Sequence, residues 1–160
     1  MAGSIVKINN YLEKVRKEIG RLEIVNECSI YAKQINFDTR KVMGINIANN
    51  KATCFIEQVG AVNTDISGTI KRLILDYTIN VYIVAKNNRS SKANERAGST
   101  ICNEAQDQIM ALLFDEDFDF NIEEARILTI DLIDDTSEVY NDYSIYYITY
   151  AQKLPVFERK

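Results

Sequence analysis

Residues 70–86, IKRLILDYTINVYIVAK, decide the fold. Taken alternately from Leu73, the row Leu73, Leu75, Tyr77, Ile79, Val81, Ile83 and Ala85 is apolar without a break. The intervening row, Arg72, Ile74, Asp76, Thr78, Asn80, Tyr82 and Val84, is mixed. Successive side chains of a strand point to opposite faces, so the pattern predicts a long strand with one buried face. Fully extended, the stretch would reach roughly 55 Å, well beyond a usual strand. A strand of that length is expected to overhang its domain as the arm of a hairpin, and an overhanging arm has use for a partner.

The flanks extend this reading in both directions. Residues 52–59, ATCFIEQV, are rich in β-branched and aromatic types and stop at Gly60. With a turn over residues 63–68 they form an antiparallel hairpin with the long strand, Phe55 meeting the Leu73 row on the inner face. After the long strand, KNNRSS (86–91) supplies turn formers. Ala97, Ile101, Ala105, Ile109, Leu112 and Leu113 then recur at helical spacing, predicting a helix over 92–113 whose first turns are weakened by Gly98. Residues 124–133 and 138–153 read as a second hairpin around a turn at 134–137. Its last strand carries Val139, Tyr143, Ile145, Tyr147 and Thr149 in one row and Tyr140, Tyr146, Ile148 and Tyr150 in the other, with Pro155 as its stop. At the other end, Ile5, Ile8, Leu12, Val15 and Ile19 mark an amphipathic helix over 4–19, capped by Ser4 and stopped by Gly20. One short strand is expected within 27–36. Residues 38–47 stay open between a short helix and another strand, and Asn49-Asn50-Lys51 is a turn. The expected fold is α+β: an antiparallel sheet of two long hairpins with two helices packed on one face, in a single domain spanning 1–160.

Composition narrows the function classes. Among 160 residues, 46% are hydrophobic and 26% charged, ordinary for a soluble globular chain. The net charge of −4 argues against a dedicated nucleic-acid binder, which would carry a basic stripe. The positive residues that do cluster are Lys86, Arg89, Lys92 and Arg96. Cys28, Cys54 and Cys102 are odd in number and widely spaced, so free buried thiols are expected. Without histidine there is no Ser-His-Asp or Cys-His arrangement, and neither GxxxxGK[ST] nor GxGxxG occurs. The acidic run DEDFDFN (115–121) lacks the central glycine and closing glutamate of a calcium loop. The opening MAGSIVKINNYLEKVRKE lacks an apolar signal region, and no run approaches the roughly 20 apolar residues of a membrane span. No catalytic residue, cofactor, metal or membrane contact is expected. The tyrosine-rich row of the last strand is expected to be an interface, because tyrosine combines apolar area with a hydroxyl. Tyr82, Lys86, Arg89, Lys92, Tyr140, Tyr146 and Tyr150 are the candidate contact residues.

Three segments carry a family resemblance: the opening helix IVKINNYLEKVRKEI, the strand ATCFIEQV followed after a polar turn by RLILDYTINVYIVAK, and the helix ANERAGSTICNEAQDQIMALL leading to a closing hairpin. In this order of elements the chain resembles the tail terminator family of tailed bacteriophages and related contractile particles. The resemblance implies a hexameric ring on the last ring of the tail tube. Such a ring stops tube, and in contractile particles sheath, polymerisation and meets the neck or collar. It also implies synthesis in the host cytoplasm and residence in the virion or tail-like particle. A negative charge suits a channel that must let DNA pass. Two alternatives stand beside it: another neck or head-tail joining protein, and a small-molecule or peptide binding module using the tyrosine face.

Overall fold

The structure is a computed structural model, and it describes residues 8–31, 33–36, 41–42, 47–63, 72–87, 97–115, 126–134 and 143–158. The elements run α1 (Ile8–Gly20), β1 (Val25–Ile30), β2 (Ile35–Asn36), β3 (Lys41–Val42), β4 (Ala52–Asn63), β5 (Arg72–Lys86), α2 (Gly98–Leu113), β6 (Arg126–Asp134) and β7 (Tyr143–Glu158). The architecture is α+β, with two helices among the described residues on a five-stranded mixed sheet of order β1-β4-β5-β7-β6. Residues 4–7 of the expected first helix, 70–71 of the long strand and 138–142 of the last strand lie outside the described residues.

The long strand lies at the centre of the sheet, paired antiparallel to β4 on one side and to β7 on the other. Its Leu73 row is the core row: Tyr77, Ile79, Val81, Ile83 and Ala85 are buried beneath the helices. From α1 come Tyr11, Leu12, Val15 and Ile19; from α2, Ile101, Cys102, Ala105, Ile109 and Leu113. Both helices thus share one face of the sheet, as the spacing of their apolar residues requires.

Three expectations about the sheet are corrected. First, the sheet is not wholly antiparallel, because β1 runs parallel to β4. A parallel neighbour needs a crossover, and residues 31–51 provide it. Ile35 and Ile47 of this crossover pack on the face opposite the helices. Second, Phe55 does not meet the Leu73 row. Register pairs Cys54 with Ile83 and Phe55 with Tyr82, so Cys54 and Ile56 enter the core while Phe55 points to the opposite face. Third, neither Gly60 nor Pro155 ends its strand. A register shift between Gln58 and Gly60 lets β4 run on to Asn63. Pro155 lies beyond the stretch that β6 pairs, where β5 is the one described neighbour of β7, and a register shift lies next to it. A proline is tolerated where one side of the strand is open or a bulge breaks the ladder.

The second helix begins later than residue 92. Ala97 has an extended backbone, and Gly98 is the first helical residue. A Cβ on Gly98 would collide with the Asn87 Oδ1 and lie 2.9 Å from the Ser144 Oγ, so a larger residue there would have to displace these two hydrogen-bonded side chains. In the 38–47 stretch the observed element is the short pair β2–β3, with Ile35 opposite Val42; residues 37–40 and 43–46 lie outside the described residues.

Candidate assembly surface

The tyrosine row expected to face a partner faces the helices instead. Tyr146, Ile148, Tyr150 and Leu154 belong to the main core, and Tyr150 is 0% exposed. Tyr146 and Tyr150 are therefore core residues, and their reading as interface residues is corrected. The cause is register: Ile83 opposes Tyr146 and Ile79 opposes Tyr150, so both rings join the Leu73 row under the helices. The Tyr150 hydroxyl lies 3.1 Å from that of Tyr11, which donates onward to Gln152 Oε1 at 3.5 Å. With the Tyr11 proton on Gln152, Tyr150 donates to Tyr11. Burial raises both phenols well above their ordinary range. The two hydroxyls thus sit in a dry layer where neither can serve as an acid or base near neutral pH.

The opposite, outer face divides into two parts. Its upper half is covered: Phe55, Tyr82, Val84 and Ile145 pack with Ile35, Ile47, Tyr143 and Tyr147. Tyr82 is only 5% exposed, and its ring lies 6.2 Å from that of Tyr147 between centroids. At the margin of this cluster the polar groups form a directed run across three strands. Thr149 Oγ1 donates to Asn80 Oδ1 at 2.6 Å, Asn80 Nδ2 to the Tyr82 hydroxyl at 3.0 Å, and that hydroxyl to Glu57 Oε1 at 3.0 Å. Each donor passes its proton toward the carboxylate, an arrangement in which the bonds strengthen one another. Burial pushes the Tyr82 phenol up to about 12, with the Asn80 amide opposing the rise and Glu57 adding to it. Farther along, Asp76 of β5 pairs with Arg126 of β6.

Beyond this run the sheet narrows. β1 pairs β4 only as far as Ile56, and β6 pairs β7 only from Ala151 back to Ile145. Residues 57–63 of β4 and 152–158 of β7 therefore run past β1 and β6, with residues 72–78 of β5 beside them; all three strands lie side by side over 61–63, 75–77 and 152–154, and 72–74 of β5 continue paired to β7. At roughly 3.3 Å per residue the β5 part alone is about 23 Å long. Val59 and Val62 on this extension are exposed, as are Leu128 and Ile130 on the edge strand β6. Lys86 is exposed at the other end of β5. Arg89, Lys92 and Tyr140 lie outside the described residues, as do residues 116–121 of the acidic run. Sequence reasoning missed Glu57, Asn80, Thr149, Asp76 and Arg126. The polar members of the second β5 row, Asp76, Thr78 and Asn80, were the signal that part of this face stays wet.

The concavities are shallow and polar. One of about 550 Å³ lies between α1 and β1, lined by Arg16, Lys17, Arg21, Asn26, Glu27 and Ser29 among others. Another of about 320 Å³ is bordered by Glu23, Asn50, Lys51, Glu104 and Gln108. Cys28, Cys54 and Cys102 are free and buried. Burial pushes the Cys28 and Cys102 thiols up to about 12, the opposite of what a nucleophile needs. Among the described residues no group of three or more His, Cys, Asp or Glu is placed to hold a metal ion. No described helix is long and apolar enough to cross a membrane. No protein-family model and no curated protein matches the chain.

Proposed function

We propose that the chain is a structural subunit of a phage tail or tail-like particle, a terminator-like ring protein with no catalytic role. The observation that carries this reading is the extension of β4, β5 and β7, which no described strand flanks and on which Val59 and Val62 are exposed. In a lone subunit such edges invite uncontrolled pairing; in a closed ring each is covered by a neighbour. The order of elements adds to this through the family resemblance. In this reading the partners are other copies in a hexamer, the tail tube and sheath, and the neck or collar. The protein is made in the host cytoplasm and then joins the particle. Lys86 and the basic residues that follow it in the sequence, Arg89 and Lys92, suit an acidic surface of a tail or neck protein.

The test is the tail-length distribution of particles made without this gene, by negative-stain microscopy. Overlong, headless tubes of irregular length are expected. Tails of normal length that fail to join heads would move the protein to the neck, and unchanged particles would remove it from the tail. The ligand-binding alternative loses the tyrosine row it relied on, since Tyr146 and Tyr150 lie under the helices.

A further inference from the structure

We infer that β6 is the seam of a two-fold dimer in which the β6 strands of two copies pair antiparallel about Ile130. This goes beyond the ring reading and does not rest on it. Three observations meet in this strand. β6 ends the sheet, with β7 on one side and no described strand on the other. The helices pack on β1, β4, β5 and β7, leaving Leu128 55% and Ile130 47% exposed. The third is its sequence, RILTIDLID, which is self-complementary when read against its own reverse. A register centred on Ile130 sets Arg126 opposite Asp134, Ile127 opposite Ile133, Leu128 opposite Leu132 and Thr129 opposite Asp131. Ile130 then meets its own copy. Every apolar residue has an apolar neighbour, and the terminal charges pair with opposite sign twice. Cross-strand pairs of these kinds are the stabilising ones, while like charges directly opposite are unfavourable.

Between the register shifts at 127/129 and 132/134 the faces agree as well. Thr129 and Asp131 oppose Thr149 and Tyr147 of β7 on the outer face, and Ile130 opposes Ile148 on the helix face. A two-fold axis normal to the sheet at Ile130 keeps each face on its own side. Two five-stranded sheets then continue as one, with all helices on the same face. The two Ile130 side chains meet beside the helix layer, where each chain alone leaves them half exposed. Such a contact is isologous and closes at two copies, so it covers the edge without propagating. A ring needs heterologous contacts, which fall on other surfaces, the extension of β4, β5 and β7 among them.

The experiment is sedimentation equilibrium of the full chain, whose single-copy mass is 18.3 kDa. Twice that mass is expected at high micromolar concentration. Ile130→Lys puts two like charges together on the axis and weakens dimerisation at least tenfold. The site is half exposed, so the variant should fold, which its thermal transition checks. Asp134→Arg alone sets two arginines opposite each other and weakens the dimer. Adding Arg126→Asp restores opposite signs and recovers it, although the Asp76 pair is lost. A monomeric wild type overturns the inference. So does a dimer that Ile130→Lys leaves equally tight, or a double charge swap that stays as weak as the single one. A six-copy species indifferent to Ile130→Lys overturns this seam and leaves the ring reading intact.

Discussion

The two faces of the sheet carry tyrosines in similar density and use them in opposite ways. Under the helices, Tyr11 and Tyr150 share a dry hydroxyl pair closed by Gln152. On the outer face, Tyr82 belongs to a small cluster and donates a hydrogen bond to the partly exposed Glu57. Tyr147 beside it is half-buried. The side chain is the same; what differs is the layer that covers it. Two helices seal one face, and Ile35 and Ile47 of the crossover cover part of the other. A tyrosine on a strand is thus neither a core nor an interface residue until its cover is known.

The strongest way to break this contrast is a matched pair of charge insertions. Tyr150→Asp buries a carboxylate in the sealed layer and should cost roughly 4–5 kcal/mol. Tyr147→Asp on the outer face should cost only about 1 kcal/mol. Urea titration of both reads the difference, and equal costs would show that the faces are equally sealed.

Alkaline pH probes the sealed face without mutation. Cys28 and Cys102 rise from 9.0 to about 12 because burial disfavours the thiolate. The unfolded chain therefore loses these protons first, and stability is complete below pH 9 and falls as pH rises from 9 toward 12. The melting temperature should be level from pH 7 to 8.5 and drop above 9. Burial raises the Cys54 thiol in the same direction, so only replacing Cys28, Cys54 and Cys102 together with alanine should delay the drop toward pH 10, where the buried tyrosines begin to act. A flat profile to pH 11 would contradict the sealed layer.

Two smaller changes sharpen the outer side. Tyr82→Phe removes the hydroxyl that links Asn80 to Glu57 and should cost about 1 kcal/mol, since Glu57 still reaches water. Thr53 is buried on the same face with its Oγ1 lacking a hydrogen-bond partner among the described residues. Thr53→Val should stabilise by about 0.5–1 kcal/mol, because it removes an unsatisfied hydroxyl at constant shape. Thermal unfolding reads both, and a destabilised Thr53→Val would mean that the hydroxyl has a partner after all.

Much of the fold was legible because period-two and helical spacings leave direct marks. Leu75 to Ala85 of the alternating row, the Leu12–Val15–Ile19 stripe and the Ile101–Ala105–Ile109 stripe all occupy the core their spacing implied. What spacing cannot carry is which row of a neighbouring strand joins a given face. That is a matter of register, and it misplaced Phe55, Tyr146 and Tyr150. Bulges compound the problem. Register shifts at 58/60 in β4, at 73/74 where β5 meets β7, and at 127/129 and 132/134 in β6 each reset the alternation. The parallel placement of β1 was hidden for another reason, since nothing local marks a strand as lying beside a partner two dozen residues away. Of the candidate contact residues, Lys86 lies at the surface and Tyr82 lies within the outer cluster.

The position of β7 has a consequence for how the protein is made. It is the last described element, yet it stands between β5 and β6 and holds both in the sheet. A chain emerging from the ribosome can assemble α1, β1, β4 and β5 as they appear, but β5 must wait through α2 and β6 for its second neighbour. Until then the row from Leu75 to Ala85 has an open flank, and β6 has nothing in this sheet to bind. The nascent protein is most exposed to wrong pairing after β6 has emerged and before β7 has, and chaperone capture should peak in chains arrested between them.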